Sequence, residues 1–417
     1  MARNKTFRTG REPFAENDTA TPSKVHGPLT FLNPTRAHFA LEPEKQAHNW
    51  QSGAKVNEKE RFERGSRVRF IWRSRDNRKG RHALLVEQDN TGDITTPRRT
   101  SRPAEVFRTI GKMFICYPVW DISWLVAYIF TWGSVVWCIN GFFSLLPYIR
   151  PASDFKGEVL DAGGITAFIG AVLFFEIGSI LLMFEAVNEN QAGCFGWALE
   201  KLIAEDSGRD TLHVRASPEH CTHHHRNRRN LVGSSAALNR PEEHPTNERK
   251  ANSKAWQWYP TWRALREHYL HELGFLASFS QFCGATVFSI AGFTALPGII
   301  NNMSQPLTDA IYWTPQIVGG SGFIISGTLY MLETQENWYT PSFGILGWHI
   351  AFWNLVGGIG FTLCGALGPA AGNHGAQYQA ACATFWGSFA FLIGSLLQLY
   401  EALQKNPVEV VGRPSKG

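Results

Sequence analysis

The sequence predicts an all-α membrane protein of six transmembrane helices arranged as three repeated hairpins, with a disordered cytosolic N-terminal region and a disordered central loop. Three observations carry this expectation. Six apolar segments between about Ile122 and Leu403 are each long enough to cross a bilayer, basic residues are absent from all of them, and successive pairs repeat one spacing of glycine, aromatic and proline residues. Whole-chain averages conceal the design, because 18% of the 417 residues are charged and the mean hydropathy is slightly negative.

Crossing a hydrocarbon core of roughly 30 Å takes about 20 helical residues at 1.5 Å each. The segments are Trp124 to Leu146, Ile165 to Val187, Leu273 to Leu296, Thr314 to Leu332, Leu346 to Leu367 and Ala380 to Leu403. The fourth is the least apolar, diluted by Gly319, Gly320, Ser321 and Gly322. Without it the third hairpin would invert against the charge pattern.

That pattern sets the topology. Of the 40 Lys and Arg, 23 precede the first span, 12 lie between Lys201 and Arg266 and three follow the last span, which leaves Arg150 and Lys156. Positive charge near span ends stays on the cytosolic side. Both termini and the central loop are therefore expected in the cytosol, with Asn302-Met303-Ser304 on the opposite face. No signal-peptide pattern precedes the first span, which would then act as its own targeting signal. The seven cysteines (Cys116, Cys138, Cys194, Cys221, Cys283, Cys364 and Cys382) are scattered and indicate no disulfide framework.

Residues 1–104 are basic and polar, with isolated apolar clusters such as Val68 to Trp72 and His82 to Val86. They read as largely disordered, with at most one short hairpin, because so little apolar surface cannot offset chain entropy. Segment 190–254 has the same character. Val106 to Ile115 and Thr261 to Leu273 mix apolar and basic residues as helices in the cytosolic interface do, the second with Thr261 as its N-cap. The expected organisation is 1–104 disordered, 105–189 interfacial helix and first hairpin, 190–254 disordered loop, 255–335 interfacial helix and second hairpin, 336–404 third hairpin, and 405–417 cytosolic tail.

The repeat is most explicit in the first helix of each hairpin. With Gly133, Gly284 and Gly357 as position zero, Trp137, Phe288 and Phe361 stand at plus four, and Gly141, Gly292 and Gly365 at plus eight. Pro147, Pro297 and Pro369 then end the helix. Positions zero, four and eight drift by only about 40° per step. They form a ridge where another backbone can approach closely. The second helices share Gly178-Ser179, Gly327-Thr328 and Gly394-Ser395, followed by Glu185, Glu333 or Glu401.

The ordered set Phe174 to Ser179 (FFEIGS), Trp313 to Gly322 (WTPQIVGGSG), Gly347 to Asn354 (GWHIAFWN), Phe385 to Ser388 (FWGS) and Phe391 to Ser395 (FLIGS) resembles fungal multi-span integral membrane proteins built from hairpins like the bacterial YrhK-like domain. The resemblance covers roughly residues 105 to 405. It implies the hairpin architecture, and carries no activity, ligand or catalytic residue with it.

Chemistry is then sought among intramembrane polar groups. Glu176 falls mid-span, where a carboxylate is costly and usually faces a bundle interior. Its expected companions are Asn140, Gln281 and Asn354, with His349 nearer the cytosolic end. It reads either as a proton or cation site or as a structural hydrogen bond. Glu185, Glu333 and Glu401, at comparable depth in the three hairpins, read either as a ring at an ion entrance or as solvated helix exits. The run His220, Cys221, His223, His224, His225 has metal-ligand types, set in a basic low-complexity loop. No phosphate-binding, nucleophile-elbow or zincin motif occurs, so neither an enzyme nor a cofactor is expected, and no nucleic-acid partner.

Two functions follow as expectations. In one, the bundle transports or senses an ion or small solute along a path near Glu176. In the other, it is a non-catalytic scaffold whose basic cytosolic regions recruit proteins or bind anionic lipid. Arg98-Arg99-Thr100-Ser101 suits a basophilic kinase, and so regulation, in either case.

Overall fold

The computed structural model describes residues 20–41, 68–81, 83–87, 99–194 and 256–411. They fall into two compact units: one gathers the chain up to Asp121 with Asn188–Trp258 and the C-terminal segment from Gln404, the other Ile122–Val187 with Tyr259–Leu403.

The first unit is built on a five-stranded sheet. Strands β1 (Ala20–His26), β2 (Arg36–Leu41), β3 (Val68–Arg73) and β4 (Ala83–Glu87) pair antiparallel in chain order, and β5 (Val408–Val411) adds in parallel beside β4, with Leu84 opposite Val408 and Val86 opposite Val410. Both faces of the sheet are covered: Ala37 lies opposite Trp72 on one, Ile71 opposite Ala83 on the other, and all four are buried. The five-residue helix α1 (Ser74–Arg78) follows β3 and ends at Gly80, whose φ of 60° is the left-handed conformation that lets the chain turn back. Helix α2 (Pro103–Ile115) leaves Phe107, Phe114 and Ile115 exposed beside Arg108 and Lys112.

This unit departs from the expectation of at most one short hairpin within 1–104, and from that of 405–417 as a separate tail. The described residues there hold four strands rather than one hairpin, and the tail supplies the fifth. The physical reason is non-local. Asp76 takes Arg81 at 3.0 Å and Arg73 at 3.4 Å, and Arg73 forks onto Glu409 at 2.6 and 2.9 Å. Burial works against the Arg73 charge, but Asp76 and Glu409 together hold its pKa above the ordinary guanidinium value. Lys405 pairs with Asp121 and donates to the Lys79 carbonyl at 3.1 Å.

The second unit is a closed ring of six long helices: α3 (Ile122–Ile149), α4 (Glu158–Val187), α6 (Leu273–Thr294), α7 (Thr314–Thr334), α8 (Leu346–Leu367) and α9 (His374–Ala402). Each packs on the next, and α9 closes back on α3. A short helix, α5 (Trp262–Glu267), precedes α6, and its N-cap Thr261 accepts from Ala264 N at 3.2 Å as the sequence predicts. Pro147 lies inside the last turn of α3 rather than beyond it. Five of the six helices are long and apolar enough to cross a membrane. The exception is α7, which the four-residue run Gly319 to Gly322 makes less apolar. Its 21 residues still reach roughly 32 Å, and it sits between α6 and α8 as a full member of the ring.

Large apolar side chains point outward along the ring, among them Trp132, Leu173, Phe279, Ile325 and Ile393. Buried hydroxyls bond to their own helices, as Thr131 does to Ala127 O (2.7 Å) and Ser388 to Thr384 O (2.6 Å), so few polar groups need partners elsewhere.

Candidate functional site

The centre of the ring is filled by one aromatic side chain from each long helix: Trp137, Phe175, Phe288, Phe323, Phe361 and Phe391, all at most 4% exposed. Their ring centroids lie 4.7 Å apart for Trp137 and Phe361, 5.6 Å for Phe288 and Phe323, and 5.4 Å for both Phe175 with Phe391 and Phe361 with Phe391. Most of these pairs meet edge to face or tilted, the arrangement the ring quadrupole favours. Three members are the plus-four residues of the sequence repeat. Phe175 and Phe391 fall in the FFEIGS and FLIGS segments and Phe323 in neither, yet each stands three or four residues before the shared Gly of its second helix (Gly178, Gly327, Gly394). The Trp137 indole N–H has no hydrogen-bond partner among the described residues.

Glycines bring the helices close enough for these rings to meet. A Cβ added to Gly133 would lie 2.7 Å from Phe174 Cβ, one on Gly357 2.7 Å from the Phe391 ring, and one on Gly292 2.8 Å from Ala171 Cβ. Gly141 faces Phe385 Cα at 3.0 Å and Gly365 faces Gln316 Cβ at 2.9 Å in the same sense. At Gly284 the approach is backbone to backbone, with Gly319 O at 2.8 Å and Gly322 Cα at 3.1 Å. The glycine run that dilutes the apolarity of α7 is therefore half of its contact with α6. Ser280 adds a hydrogen bond to Gly322 O at 2.9 Å across that contact.

Glu176 does not face the hub. It closes a π-helical stretch of α4, Ile169–Glu176, and sits half-buried at the outer flank of the α4–α6 contact. Its partner is Thr286 on α6, whose hydroxyl donates to Oε1 at 3.0 Å, while Oε2 has no hydrogen-bond partner among the described residues. The same hydroxyl lies 2.9 Å from Phe282 O, so one proton faces two acceptors. Both Thr286 and Cys283, one turn before it, are exposed.

The expected companions are elsewhere engaged, which corrects that grouping. Asn140 donates to Gly163 O at 2.7 Å and to Thr166 Oγ1 at 3.0 Å, tying α3 to α4. Asn354 turns onto Ile350 O at 2.9 Å in its own helix, and His349 Nε2 lies 2.8 Å from Phe343 O in the entry loop. Gln281, on α6, is not the partner either. Asn354 and His349 thus spend their hydrogen bonds on backbone within six residues, whereas Asn140 reaches across to the neighbouring helix.

Glu185, Glu333 and Glu401 are 0%, 3% and 1% exposed. That overturns their reading as solvated helix exits. They do not gather as a metal cage, since among the described residues no three histidine, cysteine or acidic side chains stand close enough to hold an ion. The candidates His220, Cys221, His223, His224 and His225 lie outside the described residues.

No protein-family model, no curated protein and no solved structure matches the chain.

Proposed function

We propose that the protein is a non-catalytic, six-span integral membrane scaffold, built from three related hairpins of the YrhK-like kind and carrying its basic regions on the cytosolic face. The observation that carries this reading is the aromatic hub. A solute path along a helix ring would run down its axis, and six side chains occupy that axis at mid-depth. Segregation of Lys and Arg to the connections on one side supports the cytosolic placement of both termini. The exposed Phe107, Phe114, Arg108 and Lys112 of α2 support contact with an anionic lipid surface, the apolar residues entering the interface while the cations meet headgroups. The same regions are available to cytosolic protein partners.

Reconstitution into sealed vesicles tests the reading: ion and metabolite fluxes should equal those of empty vesicles, and protein-dependent flux of any of them would overturn it. A second reading rests on Glu176. A carboxyl with Thr286 on one oxygen and no hydrogen-bond partner for the other among the described residues favours a pH-sensing or ion-sensing role at the α4–α6 groove.

A further inference from the structure

Besides the β4–β5 ladder, side chains fasten the C-terminal segment to the sheet unit, and one of those contacts falls within the basic stretch that suits a kinase. Thr100 meets the first residue of β5 twice. Its Oγ1 accepts from Val408 N at 2.6 Å, and its own N–H donates to Val408 O at 3.2 Å. One residue further on, Glu409 is held by Arg73. Thr100 is half-buried by this clasp, whereas Ser101 beside it is exposed. In sequence, Arg98 and Arg99 stand three and two positions before Ser101, where an acidic kinase cleft reads positive charge. Helix α2 begins two residues after Ser101 with no side-chain cap on its open N–H groups.

We propose that Ser101 is the phosphoacceptor of a basophilic serine/threonine protein kinase, and that its modification unfastens β5 from β4. The γ-phosphoryl group of ATP passes to Ser101 Oγ: the bond to ADP breaks as the new P–O bond forms, and the hydroxyl proton leaves through the kinase's base. The product carries about two negative charges at pH 7, one residue from the clasp. The phosphate is drawn toward the open N-terminus of α2 and repelled by Glu409, and both effects oppose the Thr100–Val408 pairing. Regulation in cells rests on the cytosolic placement proposed above, but the chemistry is tested apart from it, because ATP and kinase reach every face of a solubilised protein.

Full-length protein in detergent is incubated with ATP and a cyclic-nucleotide-dependent protein kinase, the sites are located by mass spectrometry, and amide exchange of 408–411 is followed. The expected result is phosphate on Ser101, none there in Ser101→Ala, and β5 exchange about tenfold faster after modification. Thr100→Val should loosen the same strand severalfold without any phosphate, since Val408 N loses its acceptor. Absence of phosphate from Ser101 in the wild type, including transfer to Thr100 instead, overturns the proposal. So does stoichiometric phosphoserine with β5 exchange unchanged.

Discussion

Two side chains in the ring invite single substitutions with opposite expectations. Trp137 sits in the hub with its indole N–H unsatisfied among the described residues, while the corresponding positions in the other hairpins hold Phe288 and Phe361. Trp137→Phe removes that buried donor and leaves only a small void, so the thermal stability of the purified protein should move by less than about 1 kcal/mol. Trp137→Ala empties the centre of six packed rings and should cost about 3 kcal/mol. A costly Phe variant would mean that the indole N–H has found a partner. Glu176 separates the two functional readings. Glu176→Gln keeps shape and hydrogen bonding but cannot ionise, so a sensing site loses its ion or pH response while folding is kept. For a structural bond, Gln should be tolerated and Leu should destabilise by stranding Thr286. Side-by-side melting and ligand-response curves of the three proteins decide between them. The place of Glu176 within a long apolar helix was legible in the sequence, but its outward azimuth was not. A π-helical stretch offsets side chains from the 3.6-residue count used to project them.

At the scale of helices, the repeat spacing identified the positions where backbones approach, because a glycine ridge at i, i+4 and i+8 presents one face whatever its neighbour is. Gly284→Leu and Gly357→Leu should each lower stability by about 2 kcal/mol or more, since at 284 the neighbour is immovable backbone and at 357 an aromatic ring of the hub. Leu276→Ala, on the half-buried side of α6, is the contrast and should cost less. Melting curves in one detergent check all three, and tolerance of Leu at both glycines would refute close packing there. The strands were far less legible. A run such as Val68–Arg73 is too short to stand above its basic surroundings, and the partner that completes its sheet lies more than 300 residues away. Glu185, Glu333 and Glu401 depart from the solvated-exit reading in their burial. Charge near a span end signals water on average, and local sequence does not say which ends are covered.

At the scale of the molecule, the charge distribution makes a statement about sidedness that the coordinates of a helix ring do not. Tags at either terminus should be accessible from the cytosolic face alone, and a tag inserted beside Asn302 from the opposite face alone; accessibility in intact and permeabilised vesicles measures both. An externally accessible terminus would refute the charge argument and with it the inclusion of α7 as a span. The same experiment bears on scaffold function, since protein partners can reach the basic regions only from the side on which they lie.

The parallel pairing of β5 with β4 also governs when the protein can finish folding. During synthesis the ribosome makes β1 to β4 first, then the six long helices, and only afterwards β5. Until then β4 is an unprotected edge with unpaired amides and carbonyls, the feature by which a nascent chain is recognised as unfinished or recruited into aggregates. Completion of the sheet therefore reports that synthesis has passed all six long helices and reached Val411. A product truncated after α9 would keep its helices and still carry a visible mark for quality control.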